Sequence, residues 1–175
     1  MTSLSFIRNN QLFEMKKDAL TNKPEDLKIV YLVGLTLRLC RTACKSGLLS
    51  MEEELHYCKD APGYYIDFVK MVCDGSDPDY IIEYASVMYY LNHDRGERFR
   101  IFVSLYLLLF LQDGCRDLEI WYFAKLLMKP GELDELDKLD VAGCFDGSTH
   151  DDRMHDRVKH YLNQEEVGKL LSGDI

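Results

Sequence analysis

Apolar side chains recur along most of the chain with the period of an α-helix. They return every three or four residues over 66–73 and 78–91, and a long apolar stretch spans about 95–112. This spacing brings apolar side chains to one face of a helix, whereas a half-buried strand would need strict alternation of apolar and polar residues. The pattern therefore predicts an all-α fold, a compact domain of several helices.

Proline and glycine divide this pattern into separate helices. Pro24 opens a helix that runs to Ser46 and stops at Gly47, and its apolar character on most sides predicts a central position. Asp77 and Pro78 predict the start of another helix, with Asp77 as its N-cap. Proline costs no hydrogen bond in the first turn of a helix, and glycine readily adopts the left-handed conformation that often follows the last turn.

Charge is unevenly distributed, and this predicts two parts of the chain. The 175 residues include 21 Lys and Arg against 30 Asp and Glu, a net charge of −9. Residues 131–175 hold five of the basic and twelve of the acidic residues. We therefore expect a helical domain over residues 1–130 and an acidic helical C-terminal segment over residues 131–175. The acidic balance argues against binding nucleic acid through its phosphates and against binding an anionic membrane surface.

Apolar run lengths and cysteine usage predict a soluble cytoplasmic protein. The longest apolar runs, residues 29–37 and 101–111, are shorter than the roughly 18–20 residues that a membrane span needs. The N-terminal residues contain no continuous apolar core of a signal peptide. The six cysteines form no CxxC pair and fall mostly in apolar helical patterns, so we expect reduced thiols.

No motif of enzymatic chemistry is complete in the sequence. It contains no phosphate-binding glycine loop and no nucleophile elbow. The spacing of Cys40, Cys44, His56 and Cys58 is too loose for a zinc site. The sequence therefore predicts no cofactor and no metal, and it favours a non-catalytic protein.

One enzymatic alternative stays open, a metal-dependent helical enzyme of the phosphohydrolase kind. Histidines and aspartates intermingle in the C-terminal segment, where i,i+4 spacing would bring Asp and His to the same face of a helix. The residues concerned are His150, Asp151, Asp152, His155, Asp156 and His160. These pairs, or the adjacent His93 and Asp94, could hold a divalent cation. A solvated helix would show the same i,i+4 pairs.

Tyrosines cluster in the middle of the chain. Six of them fall within 27 residues: Tyr64, Tyr65, Tyr80, Tyr84, Tyr89 and Tyr90. Because tyrosine combines an apolar ring with a polar hydroxyl, such a cluster suits a half-buried contact surface. A core with its hydroxyls at the edge is the alternative interpretation.

A charged helical hairpin is the candidate contact surface. Only about two residues separate Gly47 from Ser50, and the spacing of Ser50 and Glu53 predicts a capping box that begins the next helix. So short a link folds the two helices sharply against each other. Basic residues end the first helix on one outward stripe and acidic residues begin the second, where the helix dipole favours each. The residues predicted to bind a partner are Arg38, Arg41, Lys45, Glu52 and Glu53, above a core face of Leu37, Cys40, Cys44, Leu48 and Leu55.

Two motifs in this region resemble the cytoplasmic region of flagellar stator subunits of the MotA type. That family carries an AR-x-x-GLLALE element and, about two dozen residues later, a VDG-x-DPE-x-I element. Here residues 47–52 are GLLSME and residues 72–79 are VCDGSDPD, in the same order and at a similar separation. The resemblance covers residues 35–90, about a third of the chain.

The resemblance implies a protein-interaction role at the flagellar motor. Stator subunits have four membrane spans and this sequence predicts none, so the implied role is not that of an ion channel. In the family, a basic residue three positions before the glycine helps to contact the rotor. Here Cys44 stands at that position, with Arg41 and Lys45 nearby, and Glu52 matches the acidic partner.

These observations together predict a soluble, non-catalytic protein–protein interaction module. Its partner is expected to be a protein, and the resemblance specifies a flagellar rotor or motor component. A helical adaptor with no flagellar link is a further alternative. The sequence leaves the oligomeric state open.

Overall fold

The computed structural model describes residues 3–25, 27–55, 58, 60–114 and 117–138. Within these residues the chain forms eight α-helices and one 3₁₀ turn, Leu48–Ser50, and no strand. The helices are α1 (Ser3–Thr21), α2 (Val30–Ser46), α3 (Met51–Glu54), α4 (Gly63–Cys73), α5 (Pro78–Leu91), α6 (Arg95–Gln112), α7 (Asp117–Leu127) and α8 (Pro130–Lys138). The predicted all-α fold is confirmed.

Helix α6 lies at the centre of the packing. It contacts α1, α2, α4, α5 and α7. Its buried side chains point in several directions and include Ile101, Val103, Leu105 and Leu108, all of which are fully buried. A helix that is apolar on most sides must be surrounded by other helices to remove those sides from water. Helix α2, which was expected to be central, is the second such helix and contacts α6, α7 and α8.

The predicted start of α5 at Asp77 and Pro78 is confirmed. The Asp77 side chain accepts a hydrogen bond from the Asp79 amide at 2.8 Å, and Pro78 is the first residue of α5. Gly75 follows α4 with a φ of 67°. The amide of Ser76 donates to the carbonyl of Met71 at 2.9 Å, which completes a Schellman motif.

The prediction that the second helix begins at Pro24 is wrong, because α2 begins at Val30. The preceding segment is held by other parts of the fold. The Lys23 ammonium donates to the carbonyl of Leu127, and the Ile29 amide donates to the Glu132 carboxylate at 2.9 Å. The Lys23 side chain thus fixes this segment to α7, and the Glu132 carboxylate takes the place of a helical carbonyl as acceptor for the Ile29 amide.

The predicted capping box at Ser50 is also wrong. Ser50 lies at the end of the 3₁₀ turn in helical conformation and makes no side-chain cap. Its hydroxyl instead donates to the carbonyl of Gly47 at 2.5 Å. Because the chain is already helical at Leu48, the hydroxyl is directed back into the turn rather than forward to α3.

The C-terminal boundary predicted near residue 130 stays a prediction. Helix α8 contacts α2, and its Leu136 side chain is fully buried. The described residues from 3 to 138 all belong to one compact unit, and residues 139–175 lie outside the described residues. None of the helices in the described part of the chain combines the length and apolar character needed to cross a bilayer.

Candidate protein-interaction surface

The turn between α2 and α3 is tight and held by several hydrogen bonds. Gly47 ends α2, and its amide donates to the carbonyl of Ala43 at 2.8 Å. Its φ of 88° and ψ of 165° lie outside the left-handed helical region that was expected and in a region that essentially only glycine adopts. The Cys73 thiol donates to the carbonyl of Leu48 at 3.4 Å and ties the turn to α4. We refer to residues 38–54 as the α2–α3 hairpin.

The hairpin brings the predicted basic and acidic residues to one region. Arg38 Nε donates to Glu54 Oε2 at 2.6 Å across the turn. Lys45, Glu52 and Glu53 are exposed. The Arg38–Glu54 pair is itself partly exposed, so it stabilises the fold by only about 0.2–1 kcal/mol. These side chains therefore carry charge at the surface and contribute little to the stability of the fold.

Two predictions for the hairpin are wrong, one for the basic stripe and one for the core face. Arg41 is only half exposed, and its Nε and one terminal nitrogen are buried, so it does not share an open stripe with Arg38 and Lys45. Cys44 is exposed, although it was expected in the core. It lies four residues after the buried Cys40, on the last turn of α2, where residues 44–46 are all exposed. Leu37 is fully buried as predicted.

The sequence-based reasoning missed Leu49. This side chain is 72% exposed at the tip of the hairpin, whereas the neighbouring Leu48 packs partly against the core. In the sequence it lies between Lys45 and Glu52. The signal was available, because two consecutive leucines in a tight turn cannot both face the core. The charged edge therefore includes one apolar side chain that is open to contact.

The cysteines of the described residues are free thiols. Cys40, Cys58 and Cys73 are buried, and Cys44 is exposed. Burial raises the pKa of the Cys58 and Cys73 thiols above the ordinary value. A buried thiol with a raised pKa is a poor nucleophile, so these two residues are structural.

The candidate metal residues are only partly described. Across residues 3–55 and 60–138, leaving aside the masked positions, no three His, Cys, Asp or Glu side chains gather as a metal ion would require. His93 is exposed, and the Asp94 carboxylate accepts from the Glu97 amide at 2.8 Å as the N-cap of α6. His56, His150, His155 and His160 lie outside the described residues. The metal-dependent alternative therefore stays a prediction.

The tyrosine cluster divides into core and surface. Tyr64, Tyr65 and Tyr89 are buried, and burial raises the pKa of all three hydroxyls. Each hydroxyl has a partner: Glu97 at 3.0 Å, Thr36 at 3.0 Å and Asp18 at 2.7 Å, respectively. Tyr80 and Tyr90, by contrast, are exposed. The core interpretation therefore holds for these three buried tyrosines, and the contact-surface interpretation stays a prediction for Tyr80 and Tyr90.

An open cleft of about 340 Å³ lies beside the C-terminal half of α6. Its lining residues are Pro78, Tyr106, Leu109, Phe110, Gln112 and Asp113. Among these residues the polar side-chain groups are the Tyr106 hydroxyl, the Gln112 amide and the Asp113 carboxylate. Burial raises the pKa of the Tyr106 hydroxyl.

Comparison with known proteins gives no relative from which a function could be transferred. The chain matches no protein-family model, no curated protein and no solved structure.

Proposed function

We propose that the protein is a non-catalytic, cytoplasmic helical module that binds a protein partner through the α2–α3 hairpin. The observation that carries this proposal is the exposed Leu49 at the tip, with exposed Lys45 before it and exposed Glu52 and Glu53 after it. Protein interfaces commonly combine a central apolar anchor with a charged rim.

The rigidity of the hairpin supports this proposal. Three hydrogen bonds hold the turn: the Gly47 amide donates to the Ala43 carbonyl, the Ser50 hydroxyl to the Gly47 carbonyl, and the Cys73 thiol of α4 to the Leu48 carbonyl. A surface that is already ordered loses less conformational freedom when it binds, so more of the contact energy appears as affinity. The exposed thiol of Cys44 beside the turn suits a reducing compartment such as the cytoplasm.

The partner that the sequence motifs favour is a component of the flagellar rotor or motor. The support is the resemblance of residues 47–52 and 72–79 to the stator motifs. In this proposal Lys45 and Arg38 supply the positive charge that the family places before the glycine, and Glu52 supplies the negative charge. Rim charges of this kind chiefly set the rate of association and its dependence on salt.

Site-specific photo-crosslinking in cells tests the proposal. A benzophenone amino acid at position 49 is expected to capture a partner that mass spectrometry identifies as a motor component. The same amino acid in place of Leu126, an exposed leucine on α7, is the matched control and should not capture it. Lys45→Glu and Glu53→Lys should each weaken the capture, with changed salt dependence.

Two results would count against the proposal in different ways. If the captured partner is specific but does not belong to the motor, the protein-binding role of the hairpin stands and the motor link is refuted. Identical crosslinks from positions 49 and 126, unaffected by both charge reversals, would refute the hairpin as a contact surface.

A further inference from the structure

The face of α5 that points away from the core is apolar along most of its length. If successive residues turn by about 100°, six of them fall within an arc of roughly 120° on this side. These residues, the α5 outer face, are Tyr80, Glu83, Tyr84, Val87, Tyr90 and Leu91. The most exposed apolar members are Leu91 at 71%, Tyr80 at 55% and Val87 at 53%. Single exposed apolar residues are ordinary, but a row of them on one helix indicates a contact site.

Aromatic side chains on either edge of this face are held in place. The Tyr84 hydroxyl donates to Asp67 of α4 at 3.1 Å, and its ring meets the edge of Phe68 at 6.1 Å between centroids. The Tyr90 ring packs edge-to-face on Tyr89 at 5.2 Å. The exposed Val87 and Leu91 therefore lie between two ordered rings, which is a preformed surface rather than a loose one.

The charge on and beside α5 is negative. Helix α5 contains no Lys or Arg, and it carries Asp79 in its first turn and Glu83 on the outer face. Asp77 precedes the helix as its N-cap. On the neighbouring α4, Asp67 is bonded to Tyr84, and the exposed Lys70 is the cation of that helix.

Helix α1 brings charges of both signs to the other edge. Glu14 and Asp18 lie close enough to the Tyr90 hydroxyl to raise its pKa, although burial is the larger cause. Cations lie on this side as well: Arg98 is paired with Asp18 at 3.3 Å, Arg95 lines the same recess as Asp18 and Tyr89, and Lys17 of α1 is exposed. The α5 outer face is therefore an apolar strip that is acidic on α5 itself and along the α4 edge, and of mixed charge along the α1 edge.

We propose that the α5 outer face binds a basic amphipathic helix of a partner protein. Tyr80, Tyr84, Val87 and Leu91 follow the i, i+4, i+7, i+11 spacing by which one helix packs along another. The strip extends over about three turns, or roughly 16 Å, so the partner needs a helix of at least this length. Its apolar side chains cover the strip, and its Lys or Arg side chains meet the carboxylates of α5 and of the α4 edge.

Charge selects this partner over a second copy of the chain. A symmetric dimer through this face would place the same carboxylates opposite each other, because a two-fold interface joins identical patches. The repulsion would grow with the net charge of −9 on each copy. This surface is on different elements from the hairpin, and the inference does not depend on the proposed function.

Fluorescence anisotropy with two synthetic peptides tests the inference. The first probe is a labelled 18-residue amphipathic helix built from leucine and lysine, and the second has glutamate in place of every lysine. The leucine–lysine peptide is expected to bind the full chain, more weakly as salt rises. Val87→Gln or Leu91→Gln should each raise its Kd at least about fivefold, as truncation of an interface anchor does.

Matched variants elsewhere decide whether the peptide uses this face. Leu126→Gln removes from α7 a leucine that is as exposed as Val87, at 53%, and Glu119→Lys reverses an exposed charge on the same helix. Both should leave the Kd unchanged, whereas Glu83→Lys should raise it. Circular dichroism should show every variant equally helical, since each change is on the surface.

Several outcomes would overturn the inference. One is equal binding of the glutamate peptide, and another is an equal loss of affinity in the α7 variants. A dimer in sedimentation that Leu91→Gln dissociates would show that a second copy occupies the face. Binding to phosphatidylcholine vesicles that the same variant abolishes, without peptide binding, would show that the face contacts lipid.

Discussion

The carboxylate of Glu132 accepts a hydrogen bond from the amide of Ile29, 103 residues earlier in the chain, at 2.9 Å. Its other oxygen accepts from the Lys129 amide at 2.9 Å. The side chain is buried and thus caps the beginnings of α2 and α8 together. Negative charge is favoured at the N-terminus of a helix, and here one carboxylate serves two. Burial lowers the pKa of the nearby Lys23, and the charge of Glu132 partly offsets this effect.

Glu132→Ala should therefore lower the free energy of unfolding by about 2–3 kcal/mol, because it leaves two helix-start amides without their acceptor. Glu132→Gln, which keeps one acceptor oxygen but no charge, should cost less. Urea denaturation measures both. Glu135→Ala is the control, since it removes an exposed ion pair with Lys28 and should cost under about 1 kcal/mol. Equal losses for Glu132→Ala and Glu135→Ala would contradict the double cap.

Tyr65 makes the stability of the fold sensitive to alkali. Burial raises the pKa of its hydroxyl above the ordinary value of about 10. Above pH 10 the folded state therefore holds a proton that the unfolded state has lost. The contribution of the Tyr65 hydroxyl to the free energy of unfolding is fully present below about pH 10 and decreases as the pH rises further.

Tyr65→Phe should flatten this alkaline decline in the free energy of unfolding. At pH 7 it should cost about 1 kcal/mol, because the hydroxyl contact with Thr36 is lost. Urea denaturation between pH 7 and 11 measures both effects. Tyr80→Phe, at an exposed position, should change the pH 7 value by less than about 0.5 kcal/mol. If the free energy of unfolding decreases equally with pH in the wild type and in Tyr65→Phe, the alkaline decline does not come from the Tyr65 hydroxyl.

Gly47 is required by the backbone of the hairpin and not by lack of space. No atom lies within 4 Å of a Cβ placed there, but the φ of 88° strains any other residue. Gly47→Ala should cost about 1–3 kcal/mol in thermal or urea unfolding. Gly131→Ala also has open space, without a positive φ, and should instead stabilise by up to about 1 kcal/mol as a helical position. Effects of the same sign would argue against backbone strain.

Cys44 should be the fastest of the described cysteines to react with iodoacetamide in the folded protein. It is exposed, whereas Cys40, Cys58 and Cys73 are buried and must wait for local opening. Peptide mass spectrometry after timed labelling should show a rate at least about tenfold higher for Cys44. In denaturant the four rates should converge. Equal labelling rates in the native protein would show that Cys44 is as buried as the other three cysteines.

Local chemistry made part of the helix pattern of this protein predictable. Asp77 and Pro78 begin α5, and Gly75 ends α4, because a cap needs only residues within a few positions of it. The apolar character of α2 likewise predicts its burial, since its side chains have to be covered on most sides. The basic and acidic ends of the hairpin could also be located from the sequence. The short link between Gly47 and Ser50 keeps the end of α2 close to the beginning of α3.

Contacts between distant parts of the chain decided the rest. The start of α2 depends on Glu132, which no local rule connects to Ile29. The exposure of Leu49, the half-burial of Arg41 and the outward position of Leu91 all depend on which neighbouring elements cover each helix face and how far they extend. A sequence period gives the direction of a side chain around its own helix. Only the packing of the other helices determines whether that direction leads into the core or into water.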